Sequence, residues 1–412
     1  MSEPASLLII GLNYAPEAVG IGPFTQGLAE GLAARGHAVR VIAGQPYYPQ
    51  WKCWPGFGCG WTTHIEQGVA ITRCPHYVPA QPSGFKRIVH LASFAFSALG
   101  PALCAARLRP SVVICIAPAL LSVPVAWLIA RLSGAKLWIH VQDFEVEAAL
   151  ATGLVAEGLV ARAARWLENR LLHFADRLST ISPQMCAKLL EKGVAADRVV
   201  EMRNWANAPV FDPAKGGAYR AEWGLGPRRV ALYSGNVANK QGIEIIIEAA
   251  RLLAAREDLV FVICGEGPNR ARLEQQAAGL DNVQFHDLQP AARLGELLAL
   301  ADVHLLPQIA GAADLVLPSK LANMLGSARP VVATAAAGTG LYDEVQGCGI
   351  ATPPGDAAAF AGAIALLLDS PDEAEALGAE GARRAANRWA REAILDRADA
   401  AIAALTQVPR AS

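Results

Sequence analysis

Several chemistries are set aside by what the chain lacks. No DxD triplet occurs anywhere, and neither histidine nor cysteine recurs at metal-ligand spacing, so no bound metal is expected. Charge is scarce: charged residues make up 18% and the net charge is −1. A chain this neutral has no global field to draw in nucleic acid, so an anionic ligand must be held by local groups. The cysteines, at positions 53, 59, 74, 104, 115, 186, 264 and 348, form no CxxC pair, and several lie inside apolar runs. They read as reduced, mostly buried thiols of a cytosolic protein. The opening MSEPASLLIIG lacks the basic start of a secretory signal, and its apolar run of about five residues is shorter than the core of such a signal.

What is present is apolar material, 53% of 412 residues. That is more than one ordinary core holds, so two domains are expected. Short apolar strands alternate with helical stretches: Leu7 to Ile10, Val39 to Ile42, Val69 to Thr72, Val112 to Ile116, Leu137 to Val141 and Leu178 to Ile181, then Val230 to Tyr233, Leu259 to Cys264, Val283 to Phe285, Val303 to Leu306 and Val331 to Ala333. This is the pattern of parallel βαβ units. Between the two series, residues 206–228 concentrate Pro209, Pro213, Gly216, Gly217, Gly224, Gly226 and Pro227, the composition of a linker or hinge. The expected organisation is α/β throughout. An N-terminal Rossmann-like domain covers 1–205, a hinge 206–228 and a C-terminal Rossmann-like domain 229–388. A terminal helix over 389–412, with helical pattern from Glu373 to Leu405, could cross back to the first domain.

In the first half, the loop GLNYAPEAVGIGPF follows the first strand and carries Gly20 and Gly22 just before a helix. Glycine there lets backbone approach a ligand closely. A dinucleotide site is not indicated, because Gly11, Gly20 and Gly22 are too far apart and the second strand ends in Ala43–Gly44 rather than an acid. Next, Tyr47, Tyr48, Trp51 and Trp54 cluster with prolines. Such rings either stack on a sugar or lipid or pack the loop down. His140 and Asp143 fall at the carboxyl end of a strand, where α/β proteins place chemistry. The histidine is either a proton carrier near neutral pH or a hydrogen-bonded group of the interior. The run Phe85 to Leu108 has Lys86, Arg87 and His90 before its aromatics and Arg107 and Arg109 around its end. It is either a core helix or a basic, aromatic surface that docks on a membrane without spanning it.

The second half is organised around DLVLPSKLANMLGSARPVV, from Asp314 to Val332. Pro318 suits the first turn of a helix. A helix start offers unpaired N–H groups and a partial positive charge, to which Ser319 adds a hydroxyl and Lys320 a full charge. That set suits a phosphate, although an ordinary helix start with a solvated lysine looks the same. Two glycine loops close other strands, Ser234–Gly235–Asn236 and Gly265–Glu266–Gly267–Pro268. Together the three segments describe a pocket for a nucleoside diphosphate.

The order and spacing of GIGPF, LAEGLAARGHAVRVIAG, HVQD, TIS, GNVANKQGIE, CGEGP, LALADVHLLP and PSKLANMLGSARPVVAT resemble a glycosyltransferase of family 4, over nearly the whole chain. PYYPQW and the LHF–ADRLSTIS run are similar to the subgroup that makes bacterial exopolysaccharides of the colanic-acid type, including candidate fucosyltransferases. The resemblance implies a GT-B fold, two doubly wound domains facing across a cleft. It also implies retaining transfer from a nucleoside diphosphate sugar, GDP-fucose or a UDP-sugar, to a lipid-linked or oligosaccharide acceptor. Such an enzyme is cytoplasmic, with peripheral contact to the inner membrane as one reading, and needs no cofactor beyond its substrates. By position, Gly20 and Gly22 would lie near the donor phosphate and acceptor, and His140 would hydrogen-bond the donor sugar. Gly235 and Asn236 would flank the diphosphate, Gly265 to Pro268 the nucleoside. Pro318, Ser319 and Lys320 would form the diphosphate end and Asn323 would meet the ribose. Tyr47, Tyr48 and Trp51 are the acceptor rings; Asp143 joins His140 and Lys320 as the groups nearest the chemistry.

Some positions depart from the family pattern. An arginine and a lysine common after the linker are replaced by Asn236 and Gln241, with Lys240 adjacent. A glutamate pair is replaced by Asn323 and, near the first place, only Asp314. A diphosphate leaving group needs positive charge as its bond breaks, so Lys320 is expected to supply it. A GT-B epimerase and a non-catalytic nucleotide-binding scaffold are the competing readings.

Overall fold

The computed structural model describes residues 3–17, 20–58, 60–81, 83–117, 120–144, 158–206, 213–238, 241–310 and 317–407. The chain divides into two compact units, Met1–Arg203 with Glu392–Ser412, and Asn204–Arg391.

The first unit holds an eight-stranded sheet. Its strands are β1 (Ser6–Gly11), β2 (Ala38–Gly44), β3 (Thr62–Glu66), β4 (Val69–Cys74), β5 (Val112–Ala117), β6 (Lys136–Val141), β7 (Arg177–Thr180) and β8 (Val199–Glu201). Their order is β3-β4-β2-β1-β5-β6-β7-β8. All pairs are parallel except β3 with β4. The central strands are unbroken apolar runs because helices cover both faces of a parallel sheet, leaving no solvent side to alternate toward. Every residue of β1 after Ser6, and all of β5, is buried. Strand β3 carries no apolar alternation and is exposed along its length, which is why the sequence pattern does not reveal it.

The helices of this unit are α1 (Gly22–Ala34), α2 (Gly84–Ala106), α3 (Val123–Ser133), α4 (Leu159–Leu172) and α5 (Pro183–Glu191). The last helix of the chain, Arg391–Gln407, packs here from Glu392 onward. Arg35 bonds Glu392 at 2.8 Å and Asp396 at 2.7 Å. His37 Nδ1 accepts from the Ala5 amide at 3.1 Å, so its Nε2 carries the proton and donates to Asp399 at 2.8 Å. Gly31 sets the approach, since a methyl group there would come within 2.5 Å of Leu395. The helical pattern over Glu373 to Leu405 is in fact two helices, broken where the Trp389 side chain buries and its carbonyl accepts from the Ala206 amide at 3.1 Å.

The second unit holds a fully parallel six-stranded sheet. Its strands are β9 (Arg229–Ser234), β10 (Leu259–Cys264), β11 (Val283–His286), β12 (Val303–Leu306), β13 (Val331–Thr334) and β14 (Gly349–Thr352), in the order β11-β10-β9-β12-β13-β14. Its helices are α6 (Gly217–Glu222), α7 (Glu244–Leu252), α8 (Arg270–Gln276), α9 (Leu294–Leu300), α10 (Lys320–Gly326), α11 (Gly340–Val345), α12 (Ala357–Asp369) and α13 (Pro371–Arg388). Ile246, Phe261, Phe360 and Ile364 pack one face of the sheet, and Tyr219, Leu232, Val260 and Leu297 the other. Part of the glycine-rich stretch read as a hinge is therefore folded. Tyr219 is fully buried, its hydroxyl donates to Gln289 at 2.9 Å, and a methyl at Gly216 would fall 2.5 Å from the Ala299 carbonyl. Strand β14 escapes the sequence reading because its four residues are short and only half-buried until Thr352.

Candidate active site

Each sheet reverses its winding once. In the first unit the reversal lies between β1 and β5, in the second between β9 and β12. Chains leaving neighbouring strands there turn to opposite sides, and ligands of open α/β sheets sit in the crevice this leaves at the carboxyl ends.

At the second reversal, three segments meet. β9 ends in Ser234 and turns at Gly235, whose amide donates to the Cys264 carbonyl at 2.9 Å. A methyl on Gly235 would lie 3.4 Å from Lys320 Nζ. The Lys320 ammonium sits 3.9 Å from the centre of the Tyr233 ring, a cation–π contact that holds the charge beside the loop. The Tyr233 hydroxyl in turn donates to the Asn236 carbonyl at 2.6 Å, and burial raises its pKa, so it stays a neutral donor. Asn236 itself is exposed, and Asn323 is half-buried one turn beyond Lys320 on the same helix.

The helix start differs from expectation by two residues. α10 begins at Lys320 with Ser319 as its cap, and Pro318 precedes both. Leu321 donates to the Pro318 carbonyl at 3.0 Å, so the first turn is tightened in the manner of a helix end. Ser319 is exposed and its hydroxyl makes no cap bond.

Gly265 and Gly267 have a clear local reason. A methyl on Gly265 would sit 1.8 Å from the Gly235 carbonyl oxygen, and one on Gly267 would sit 2.1 Å from that of Val237. The Val237 amide donates to the Glu266 carbonyl at 2.8 Å. The two glycine loops are thus laced backbone to backbone, and Pro268 is the exposed residue that follows. Arg270 ties the second loop down, donating to the Gly265 carbonyl at 3.0 Å and pairing with Glu266, Glu274 and Asp287. Lys240 and Asp314 lie outside the described residues.

At the first reversal the loop after β1 is built differently. Gly20, at φ 75°, lies under Tyr48, whose ring carbon would be 3.2 Å from an added methyl. Gly22 is the buried first residue of α1. Between them and β1 stands Glu17, 2% exposed. Its carboxylate accepts from the amides of Tyr47 and Tyr48, each at 2.9 Å, and from Asn13 Nδ2 at 2.9 Å. Burial raises its pKa against the pull of those bonds and of Arg73. Arg73, also buried, donates to the carbonyls of Gly44 and Ala15 and lies over the Tyr14 ring at 5.3 Å. Neither residue had been given a role from the sequence. A carboxylate in a glycine loop and an arginine ending a strand were the only signals, and both are common.

Two readings are corrected. Tyr47 is not a surface ring. It is buried, with ring centres 4.7 Å from His90, 5.4 Å from His76 and 5.3 Å from Trp51, so it packs the loop down. Tyr48 and Trp51 remain half-buried, and Arg87 stacks over Trp51 at 5.4 Å. His140 is not a proton carrier at neutral pH. It lies inside β6, 3% exposed, bonded to Ser179 Oγ at 2.8 Å and Gln142 Nε2 at 2.9 Å. Burial pushes its pKa down to about 3, which keeps it neutral. Asp143 follows β6 and is half-buried.

Residues 19–205 match the glycosyl transferase 4-like domain and residues 228–370 match glycosyl transferases group 1. The Escherichia coli K12 protein WcaI, whose name assigns it provisionally to glycosyl transfer in colanic acid biosynthesis, is 43% identical over 377 residues, 88% of this chain and 92% of that one. The chain belongs to glycosyltransferase family 4. The fold of this glycosyltransferase is GT-B. Sucrose-phosphate synthase of Thermosynechococcus elongatus superposes with a TM-score of 0.73 at 20% identity, covering 96% of this chain and 97% of its own. The Anabaena protein HepE, solved in complex with UDP, superposes at 0.72 and 13% identity, covering 97% and 100%.

Proposed function

We propose that this glycosyltransferase moves a sugar, with retention of anomeric configuration and without a metal, from a nucleoside diphosphate sugar to a lipid-linked or oligosaccharide acceptor in bacterial surface-polysaccharide synthesis. The observation that carries the reading is the Lys320 ammonium, held on the Tyr233 ring and against Gly235 at the reversal point of the second sheet. A fixed cation beside glycine backbone suits a leaving diphosphate, because charge accumulates on its oxygens as the bond to the sugar breaks.

In this mechanism the bond between the anomeric carbon and the diphosphate oxygen breaks, and the acceptor hydroxyl oxygen bonds the same face of that carbon. The acceptor proton passes to the departing phosphate oxygen. His140, neutral and bonded on both ring nitrogens, is not the base. Ser319 adds a hydroxyl donor to the diphosphate, and Asn323 accepts from a ribose hydroxyl without the strength of a carboxylate. No cofactor beyond the sugar nucleotide is called for. Likeness to WcaI supports an acceptor of the exopolysaccharide type, with GDP-fucose or a UDP-sugar as donor.

A thermal-shift screen with GDP, UDP, ADP and dTDP tests the reading. One diphosphate should stabilise the protein clearly more than the others, and its sugar nucleotides should then support transfer to lipid-linked oligosaccharide. Equal indifference to all four would remove the proposal.

A further inference from the structure

The helix α2 presents two unlike faces. His90, Phe94, Ala98 and Ala102 recur every four residues and are 0–2% exposed, so this stripe is the inner face packed in the first unit. On the opposite face Phe85, Ile88, Phe96 and Leu103 stand out, Phe85 76% and Phe96 82% exposed. Lys86, Arg107 and Arg109 flank them and are exposed. No aspartate or glutamate occurs anywhere between Glu66 and Asp143. Trp61, 59% exposed, extends the apolar surface and is pinned to the helix by its Nε1 donating to the Ser97 carbonyl at 3.0 Å.

We propose that this outer face docks the first unit on an anionic lipid surface. Apolar rings flanked along one helix by basic side chains fit the boundary between acyl chains and acidic headgroups, where rings bury shallowly and lysine and arginine reach outward. By length and composition α2 could cross a bilayer. Its buried inner stripe makes it part of the folded unit, so it lies on the surface. The inner face also does something specific. The His90 ring lies 4.7 Å from Tyr47 and 5.4 Å from Trp51, and Arg87 stacks on Trp51. One helix therefore touches lipid on one side and seats the aromatic loop on the other, which places Tyr48 and Trp51 next to the membrane that carries a lipid-linked acceptor. The acceptor part rests on the function proposed above; the docking does not.

The test is flotation of the full chain with phosphatidylcholine vesicles, with and without phosphatidylglycerol. Binding is expected only with phosphatidylglycerol and should weaken as salt rises. The pair Lys86→Ala with Arg107→Ala should weaken it about 25-fold, near fivefold per charge removed. The pair Phe85→Ser with Phe96→Ser should abolish it. Circular dichroism and calorimetry with the preferred nucleoside diphosphate, both unchanged in the variants, show that fold and donor site survive. Turnover should fall on acceptor embedded in vesicles and not on a water-soluble acceptor analogue. Docking is overturned if the protein binds neither vesicle, binds both alike, or floats equally well with either pair substituted. It is also overturned if the face is found to hold two copies together in solution. Nucleotide binding without vesicle binding rejects the docking alone, and vesicle binding without nucleotide binding rejects the proposed donor site alone.

Discussion

After β1, the loops are held by a buried carboxylate and a buried guanidinium: Glu17 on the amides of Tyr47 and Tyr48, and Arg73 over the Tyr14 ring. After β9, the crevice is edged by glycine backbone and one lysine held on a tyrosine face. The two reversal points share topology and differ in the side chains that line them. Charge at the first is spent internally, on amides and carbonyls of its own loops. The partly exposed groups left there include the rings of Tyr48 and Trp51, which under the proposed function would meet the acceptor sugar. At the second, the loop amides of Gly235, Val237 and Gly265 are likewise bonded to neighbouring carbonyls, and the Lys320 ammonium rests on the Tyr233 ring beside the Gly235 turn, where the proposed function needs a cation. A common sheet plan thus hosts different charge arrangements, set by a handful of loop residues.

The largest effect that would break this contrast is expected at Lys320. Lys320→Ala should lower kcat/KM for transfer by about 100- to 1000-fold, as loss of a group that meets developing charge does, with initial rates as the measurement. Next is Gly265→Ala, whose methyl would collide with the Gly235 carbonyl. Forced overpacking of backbone should destabilise the protein by roughly 3 kcal/mol, read from urea midpoints, whereas Gly36→Ala, with open space around it, tests only its φ of 93° and should cost less.

A pH series compares the two sheets where they are alike. His140 in β6 and His304 in β12 are both buried beside a serine, and burial holds each pKa at about 3. Both are neutral when folded and bind a proton when unfolded below about pH 6.5. The stability each contributes is present above that pH and is lost as pH falls toward 3, with a slope of at most about 1.4 kcal/mol per pH unit per histidine. His304→Gln should flatten the acid limb of the urea midpoint against pH. The smallest effect belongs to the first crevice. Trp51→Ala should raise the acceptor KM by roughly fivefold through lost ring contact and leave nucleotide affinity unchanged. A change in nucleotide affinity instead would mean that the two crevices are not specialised in this way.

The alternation of apolar strands made both sheets legible, because parallel strands buried on both faces must be continuous runs such as Val112–Ala117 and Leu259–Cys264. Strand β3 was not legible, since an exposed edge strand has no burial to write a pattern. The glycines of the second site were legible as glycines but not by cause. Only the folded chain shows Gly265 and Gly267 yielding space to another loop, and Tyr233 gave no sign on a strand of its place under Lys320. The aromatic loop was visible as a cluster, but which ring faces inward depends on His76 and His90, which are distant in sequence. Glu17 and Arg73 were passed over for the same reason, as their hydrogen-bond partners other than Asn13 lie 29 to 58 residues away.

Calorimetric titration of the full chain and of Lys320→Ala with the diphosphate that stabilises it most is the shortest route to the central claim. If the ammonium on Tyr233 grips the leaving group, affinity should fall by about 10- to 100-fold in the variant, the worth of a charged hydrogen bond, with the protein still folded. Equal affinity in the two proteins would contradict it.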